Sequence, residues 1–333
     1  MVKKFVYGTP FETEAVVKEI PSSEGNPDYG TFSTENGFSF TTKLADEDMV
    51  FGLGEANRGI NKRGFLYISD CADDPNHVES KTSLYAAHNF IIISGKTHVG
   101  FFFDYPGTLR FDIGYTTSDT MTVSCENADL YVYMITGDSD LDIVKQFRGI
   151  IGRSYIAPKF AFGYGQSRWG YKTEDDFRTV VKKYRENHVP LDMVYMDIDY
   201  MQDYKDFTVN EERFPDFEGF VQDMKKEKIH LVPIIDAGVK VEEGYDIYEE
   251  GCEKGYFCRR EDGSYFEATV WPGWTHFPDV LNADARKWFG DKYDVLVSKG
   301  IDAFWNDMNE PSIFYSQEGL ADFKDNAKKY VEG

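Results

Sequence analysis

The spacing of hydrophobic residues changes near Pro158, and the two sides of this point predict different architectures. Before it, apolar runs are strand-sized. In NFIIISGKTHVGFFFDYP, residues 89–106, two such runs flank a Ser-Gly-Lys-Thr turn, which predicts a β-hairpin. Further short strands follow at regular spacing, in TLRFDIGY, MTVSC and DLYVYMI. This pattern predicts an antiparallel β-sandwich over residues 1–140.

A helix is predicted directly after these strands. The segment LDIVKQFRGIIG, residues 141–152, carries apolar residues at helical spacing and ends on Gly152. We therefore expect a helical linker over residues 141–158.

After Pro158 strands alternate with helices. The apolar strand candidates are KFAFGYGQS, LDMVYMDID, HLVPIID and IDAFWND. Amphipathic helices separate them, and the first is predicted to be capped by Thr173, because three acidic residues follow it in the first turn. Alternation of this kind predicts a parallel sheet over residues 159–333. A last helix is predicted in GLADFKDNAKKYV, residues 319–331.

Polar side chains follow each of these strands where it ends. They are Gln166, Ser167 and Arg168, then Asp197 and Asp199, then Asp236, and finally Asp307, Asn309 and Glu310. One strand that ends in Asp is ordinary, because Asp often caps the next helix. Four successive strands with the same feature predict a cleft at the carboxyl edge of the sheet, where α/β barrels have their active sites.

Composition narrows the classes of function. The net charge of −22 and the absence of a Lys/Arg cluster argue against a nucleic-acid partner. We expect no membrane segment, because the start lacks an apolar signal region and the apolar runs are strand-sized. The four cysteines show no CxxC pair or zinc spacing, which favours reduced thiols in a cytoplasmic protein without a metal. The aromatic share of 16% suits core packing or a sugar-binding cleft.

Motifs along nearly the whole chain resemble those of glycoside hydrolase family 31, the α-glucosidase family. They are FGLGE (51–55), GQSRWGY (165–171), MDIDYM (196–201), PIID (233–236), VWPGWTHFPD (270–279) and WNDMNEPS (305–312). The resemblance implies a β-sandwich N-terminal domain followed by the first half of a (β/α)8 TIM barrel. It also implies exo-acting, retaining hydrolysis that releases glucose from the non-reducing ends of α-linked oligosaccharides, without a cofactor.

The resemblance also implies roles for individual residues. Asp307 would be the nucleophile, and Asp197 would accept hydrogen bonds from glucose hydroxyls. An aspartate from an N-terminal-domain loop would enter the same pocket, and Asp73 fits this place, with Asp74 as the alternative. Apart from the resemblance, Trp169 is expected to bear on the preference for α-1,4 or α-1,6 linkages, because the loop after the first strand can reach the rim of the site. The other residues that would line the glucose site are Ile198, Ile234, Trp271, Trp305 and Met308.

Several neighbouring residues admit two interpretations. Glu310 is an alternative nucleophile, although a residue three positions beyond Asp307 is expected to have turned into the loop and to support it. Asp199, taken to lie on the same strand and face as Asp197, would either contact substrate or support its neighbours. Trp274 and Trp288 are predicted to be core residues.

The sequence departs from the family in one respect. The family's acid/base residue lies on a later strand, which would place it beyond residue 333, so we expect a truncated barrel completed by the C-terminal half of the enzyme, as a continuation or a second chain. Other activities within the family remain open, namely α-xylosidase, lyase or transglycosylase, as does a non-catalytic sugar-binding module.

Overall fold

The computed structural model describes residues 1–71, 74 and 77–319. The chain separates into two units, Met1–Tyr155 and a second that begins at Ile156. No helix within the described ranges is both long and apolar enough to span a bilayer.

The first unit contains two five-stranded antiparallel sheets. Its strands are β1 (Val2–Tyr7), β2 (Thr31–Ser33), β3 (Phe38–Lys43), β4 (Met49–Gly52), β5 (Phe65–Ser69), β6 (Phe90–Ser94), β7 (His98–Asp104), β8 (Leu109–Ile113), β9 (Thr120–Cys125) and β10 (Leu130–Gly137). The strand orders are β1-β10-β7-β6-β4 and β2-β3-β9-β8-β5. The predicted hairpin over residues 89–106 is confirmed as β6 and β7.

Phenylalanine side chains from both sheets meet between them. Phe38 and Phe40 alternate inward on β3, as Phe101 and Phe103 do on β7, and all four are buried. The ring centroids of Phe40 and Phe101 are 4.7 Å apart. Because β3 and β7 belong to different sheets, this contact packs the sheets face to face and confirms the predicted sandwich.

The helix expected as a linker packs on this first unit. Helix α1 (Asp140–Ile151) begins where the Ser139 hydroxyl accepts a hydrogen bond from the Asp142 backbone N–H at 3.2 Å. It ends at Gly152, whose φ of 91° suits glycine. Ile143 is fully buried in one cluster with side chains of β6 and β10. The helix is therefore part of the first unit's core.

The second unit carries the elements that build the candidate site. Its strands are β11 (Gly165–Gln166), β12 (Met193–Met196), β13 (His230–Asp236), β14 (Val239–Lys240), β15 (Glu267–Val270), β16 (Gly273–His276), β17 (Trp305–Asp307) and β18 (Tyr315–Ser316). Its α-helices are α2 (Glu174–Glu186), α3 (Phe217–Lys226), α4 (Asp246–Lys254), α5 (Ala283–Lys292) and α6 (Asp294–Val297). Three short 3-10 helices cover Lys159–Phe162, Ile198–Tyr200 and Gln202–Tyr204.

Four strands form a parallel sheet in the order β11-β12-β13-β17. Helix α2 returns the chain between the first two, and Thr173 and Asp176 cap it reciprocally, as the acidic first turn predicted. Phe177 and Val181 on its inner face are buried in the same core as the strands. The sheet is half of an eight-stranded barrel, which confirms the predicted parallel half-barrel.

A second, antiparallel sheet combines three strands that lie between β13 and β17 in the chain with one strand that follows β17. Its order is β14-β16-β15-β18, with β15 and β16 as a hairpin around Trp271 and Pro272. Strand β18 follows the proposed nucleophile motif and pairs with β15 through Ala268↔Ser316 and Thr269↔Tyr315. The pairing holds the chain after Asp307 against the Trp271 hairpin.

Strand lengths differ from those expected. Residues 159–162 form a 3-10 helix, so the first strand is reduced to Gly165–Gln166, and β12 ends at Met196 rather than at residue 199. The segment before β17 contributes only Trp305–Asp307. In each case the apolar run in the sequence is longer than the part of it that pairs with a neighbouring strand. The helix predicted at 319–331 lies, apart from Gly319, outside the described residues.

Candidate active site

Three parallel strands bring carboxyl groups to one edge of the sheet. In the pairing of β13 with β17, Ile234 lies beside Trp305 and Asp236 beside Asp307. Asp197 directly follows β12, whose last residue pairs with Pro233. Side chains alternate along a strand, so Ile234 and Asp236 share a face with Trp305 and Asp307. The structure thus places the strand-end residues side by side, as the sequence predicted.

Asp307 occupies the last position of β17. Its side chain is half-buried, and the next residue, Met308, is buried with a left-handed backbone at φ 59°. The chain therefore turns sharply after Asp307, and Glu310, also half-buried, follows in the loop as expected. A carboxylate at the end of a paired strand is held in place by backbone hydrogen bonds, which suits a nucleophile.

Asp197 begins the 3-10 helix Ile198–Tyr200. Its Oδ1 accepts a hydrogen bond from the Ile198 backbone N–H at 2.8 Å. Burial raises the pKa of Asp197, and the negative charges of Asp199 and Asp307 act in the same direction, against the Ile198 hydrogen bond. Asp197 and Asp307 are thus close enough for their charges to interact, as two carboxylates around one sugar ring would be.

Apolar side chains flank these carboxyl groups. Ile198 and Ile234 are buried in the core of the half-barrel, and Trp305 packs against it. The Trp305 ring contacts Tyr195 edge to face at a centroid distance of 6.0 Å.

Trp271 packs the β15–β16 hairpin against the segment that follows Asp307. Its ring meets Phe314 edge to face at 4.9 Å, and it packs against the cluster that contains Met308. On its other side it lies 6.4 Å from Trp169, at an angle of 33°. Trp169 is 58% exposed, so this pair presents an aromatic surface to solvent next to the carboxyl edge.

Asp73 and Asp74 were the two candidates for an aspartate from the first unit. Asp73 lies outside the described residues. The alternative, Asp74, forms an ion pair with Lys81 at 3.2 Å.

Asp199 does not share a strand with Asp197, which corrects the expectation from the sequence. The chain leaves β12 after Met196, and Asp199 lies inside the 3-10 helix, 1% exposed. Its Oδ1 is 3.2 Å from Nη1 of Arg213 and 3.8 Å from Nζ of Lys172. These contacts pair the Asp199 carboxyl group with two basic side chains.

The two tryptophans predicted as core residues differ. Trp288 is buried, packed against Phe257 and Tyr256, as expected. The expectation for Trp274 was wrong, because its side chain is 39% exposed on β16, where it contacts Tyr315. Trp274 belongs to a small antiparallel sheet, and such a sheet can pack one face on the core while the other face remains in solvent.

Two buried carboxyl groups beneath the edge were missed as site residues. Asp236 is 1% exposed, and burial together with the charges of Asp307 and Asp197 raises its pKa to about 8. Asp206 is fully buried, and its Oδ1 accepts a hydrogen bond from the Asp236 backbone N–H at 3.1 Å. Burial, with the charge of Asp236, holds the pKa of Asp206 far above its usual range. Asp236 was visible as a strand-end residue, whereas no sequence pattern marks Asp206.

The described residues at this edge do not form a metal-binding group. Among residues 1–71, 74 and 77–319, no three His, Cys, Asp or Glu side chains form a group that could hold a metal ion.

Comparison with family models matches both units. Residues 154–332 match the glycosyl hydrolases family 31 TIM-barrel domain, and residues 11–112 match the glycosyl hydrolase 31 N-terminal galactose mutarotase-like domain. The first match covers more than half of the chain.

Individual proteins agree with these matches. The chain is 38% identical to alpha-glucosidase 2 of Bacillus thermoamyloliquefaciens over 82% of its length and 35% of that protein. It is 28% identical to an alpha-glucosidase of Saccharolobus solfataricus, over 94% of its length and 46% of that protein. A family 31 alpha-glucosidase structure from Bacteroides thetaiotaomicron superposes with a TM-score of 0.77 at 25% identity, covering 90% of this chain and 50% of that one. The chain thus spans between 35% and 46% of the length of these two curated relatives.

Proposed function

The chain belongs to glycosyl hydrolase family 31, and from this premise we propose that it carries the nucleophile and most of the glucose site of a retaining, exo-acting α-glucosidase. The observation that carries the proposal is the placement of Asp307 at the end of β17, with Asp197 close enough to interact with its charge. The alpha-glucosidase names of the relatives support the substrate class.

Asp307 is the proposed nucleophile. Retaining hydrolysis needs an ionised carboxylate that attacks the anomeric carbon and forms a glycosyl-enzyme, which water then hydrolyses. The strand end holds Asp307 at a fixed place, so little side-chain ordering is needed at the moment of attack. Asp197 is proposed to accept hydrogen bonds from glucose hydroxyls, with Ile198, Ile234, Trp305 and Met308 as the walls of the pocket.

Trp169 and Trp271 are proposed to face the leaving part of the substrate. Their rings lie 6.4 Å apart, and Trp169 is open to solvent. Aromatic faces stack on the apolar faces of sugars, so this surface suits the second residue of an α-linked oligosaccharide. Trp271 would contact both the glucose unit and the second sugar, because it also packs toward Met308.

The general acid is proposed to come from the remaining half of the barrel. The described residues supply four parallel strands, and an (β/α)8 barrel has eight. A C-terminal half, as a continuation of this chain or as a second chain, would bring a carboxyl group to the opposite side of the scissile bond. That position is about 5–5.5 Å from the nucleophile in retaining enzymes.

A cytoplasmic location is also proposed. Cys71, Cys125, Cys252 and Cys258 are all free thiols in the structure, which suits a reducing compartment. Fractionation of cells that express the full-length protein tests this location, and recovery in a secreted or membrane fraction would contradict it.

The test of the proposed function uses the full-length protein and a fluorinated α-glucosyl fluoride that traps the glycosyl-enzyme. Mass spectrometry of the digest should find the label on Asp307, and Asp307→Asn should abolish both labelling and turnover. The control is Asp302→Asn, because Asp302 pairs with His230 at the far end of the sheet. NMR should show the α-anomer of glucose as the first product. A label on Glu310, or a first-formed β-anomer, would overturn the assignment.

Assays of the same full-length protein with other substrates separate the alternative activities. A faster reaction with an α-xyloside than with an α-glucoside would indicate an α-xylosidase, and oligosaccharide products in place of glucose a transglycosylase. Binding of glucose without any turnover or labelling would indicate a sugar-binding module.

A further inference from the structure

The Gln166 side chain closes the loop that carries Trp169. The loop leaves strand β11 at Gln166, and the chain comes back to the same side chain at Tyr171. The Gln166 Nε2 donates one hydrogen bond to the Ser167 carbonyl oxygen at 3.1 Å and another to the Tyr171 hydroxyl at 3.2 Å. One amide group thus joins the two ends of the loop 167–171.

The other end of the Gln166 amide is held from outside this loop. Its Oε1 accepts hydrogen bonds from the Tyr164 hydroxyl at 2.9 Å and from the Tyr184 hydroxyl at 2.5 Å. Tyr184 belongs to α2, so the Gln166 side chain connects the loop to this helix. A glutamine amide has two N–H donors and an oxygen with two lone pairs, and Gln166 uses all four. A polar network satisfied in this way is rigid.

The far end of the loop is fixed by the start of α2. The Tyr171 ring packs edge to face on the buried Phe177, with 5.7 Å between the ring centroids. Two residues later, the Thr173 backbone N–H donates to the Asp176 carboxylate at 2.9 Å. Gln166 on one side and α2 on the other therefore hold the loop in one place.

Trp169 lies at the tip of the loop. Its side chain is 58% exposed, and its ring centroid is 6.4 Å from that of Trp271. The next residue, Gly170, has a φ of 110°, a backbone conformation that favours glycine. Because a mostly exposed side chain has little core packing to hold it, the position of the Trp169 ring depends on the backbone that carries it.

We propose that Gln166 is a positioning residue for the part of the substrate beyond the glucose unit. It closes the loop and so holds the Trp169 ring at the distance from Trp271 at which the pair receives a second sugar. This inference rests on the proposed function of these two tryptophans. It gives Gln166 a role in the selection of longer substrates and no part in bond breaking.

A positioning role and a purely structural role lead to different kinetics. If Gln166 only stabilised the fold, its loss would lower stability or reduce the turnover of every substrate alike. If it positions Trp169, its loss affects only substrates with a second sugar. The two substrates that separate these cases are α-glucosyl fluoride, which has no second sugar, and an α-linked trisaccharide.

The test compares these substrates in the full-length enzyme. Gln166→Leu is close in size and removes all four hydrogen bonds. It should raise KM for the trisaccharide about 2- to 10-fold, up to the loss expected for Trp169→Ala, while hydrolysis of α-glucosyl fluoride keeps its rate. A selective rise of this kind supports the proposal, and a wild-type KM for the trisaccharide would overturn it.

Gln146→Leu is the matched control. Gln146 is a half-buried glutamine of the first unit, and its Nε2 donates to the Thr136 carbonyl oxygen at 3.0 Å and to Asp142 Oδ2 at 3.0 Å. The variant removes a comparable set of hydrogen bonds without touching the Trp169 loop. It should leave KM for both substrates at the wild-type value. A rise in trisaccharide KM equal to that of Gln166→Leu would refute the special role of Gln166.

A double-mutant cycle shows whether Gln166 acts through Trp169. In the Trp169→Ala background, Gln166→Leu should cause almost no further rise in trisaccharide KM, because the effects of residues that act as one unit do not add. Fully additive effects would show that Gln166 acts by another route and would overturn the proposal.

Fluorine NMR of protein labelled with 5-fluorotryptophan follows the Trp169 ring without any turnover. The resonance that disappears in Trp169→Ala belongs to Trp169, and it should shift or broaden in Gln166→Leu but not in Gln146→Leu. An unchanged resonance in Gln166→Leu would refute only this inference. A wild-type trisaccharide KM in Trp169→Ala would instead refute the proposed function of Trp169, whatever the resonance does.

Tyr171→Phe provides a milder second variant. It removes one of the two hydrogen bonds that close the loop and keeps the ring that packs on Phe177. The trisaccharide KM should again rise selectively, by less than in Gln166→Leu. If Gln166→Leu does not fold, a wild-type trisaccharide KM together with an unchanged Trp169 resonance in Tyr171→Phe would overturn the proposal.

Discussion

Arg213 binds Asp199 through both main chain and side chain: its Nη1 donates to the Asp199 carbonyl oxygen at 2.7 Å and to Oδ1 at 3.2 Å. Asp199 is 1% exposed, so this contact neutralises a buried carboxylate. It also connects the loop that carries Arg213 to the 3-10 helix after Asp197. Asp199 is thus held by contacts within the protein, two residues from Asp197.

Arg213→Ala should therefore destabilise the protein. Breaking a buried pair costs about 3–5 kcal/mol, and we expect a loss of about 2–3 kcal/mol in the free energy of unfolding, because 36% of the Arg213 side chain is exposed. Lys172→Ala is the matched control, since Lys172 is 51% exposed and 3.8 Å from the same oxygen, and should cost less than about 1 kcal/mol. Denaturant unfolding of both variants measures the difference. If Asp199→Asn instead raises KM without a loss of stability, Asp199 contacts substrate.

Asp197→Ala should impair catalysis through sugar positioning. Hydrogen bonds to sugar hydroxyls that strengthen in the transition state contribute several kcal/mol, so kcat/KM should fall by about 10²–10³-fold. The trapped label should still appear on Asp307, only more slowly, because the nucleophile remains. Hydrolysis of α-glucosides at the wild-type rate would show that Asp197 is structural, as its cap of the 3-10 helix at Ile198 would allow.

Trp169→Ala should affect long substrates more than short ones. Loss of one aromatic contact is worth about 0.5–1.5 kcal/mol, which corresponds to a roughly 2- to 10-fold increase in KM for an α-linked trisaccharide. Hydrolysis of glucosyl fluoride, which has no second sugar, should be unchanged. Trp274→Ala is the control, because Trp274 is also exposed but contacts Tyr315 rather than Trp271. Equal effects of both variants would remove Trp169 from the site.

Asp206 should make the stability of the protein depend on pH. Folding raises the pKa of Asp206, so the folded protein keeps a proton that the unfolded chain releases above about pH 4. The unfolding free energy should therefore fall as pH rises from about 4 toward the folded pKa. Asp206→Asn cannot ionise and still accepts the Asp236 N–H, so its advantage over wild type should grow with pH. Unfolding measured at several pH values checks this, and a constant difference would refute it.

Local sequence rules predicted the scaffold well. Thr173 and Asp176 cap α2 as their spacing indicated. Strand β13 covers the seven residues of its apolar run, because its first four residues pair with β12 and its last three with β17. The strand-end pattern likewise predicted that Asp197 and Asp307 lie at the same edge of the parallel sheet.

What the sequence could not predict depends on contacts between distant positions. The raised pKa of Asp236 depends on its burial and then on the charge of Asp307, 71 residues later in the sequence, neither of which a local pattern encodes. Asp206 lies in a loop without periodicity. The chain also turns after Asp197 into a 3-10 helix, which moved Asp199 off the face that strand alternation assigned to it.

The isolated chain of residues 1–333 should lack glycosidase activity. It contains the proposed nucleophile, but the acid that protonates the leaving oxygen is proposed to lie outside it, and general acid catalysis contributes about 10²–10⁴-fold in rate. Strands β11 and β17 are the edges of the parallel sheet in the described structure, and such edges favour association of isolated chains. Light scattering should therefore detect oligomers or aggregates, and an α-glucoside assay should give no turnover.

Addition or fusion of a C-terminal half should close the barrel and yield glucose with retained configuration. Rapid turnover by the isolated chain would show instead that a carboxyl group within it, Asp199, Asp236 or Glu310, is the acid, and would refute the half-enzyme interpretation.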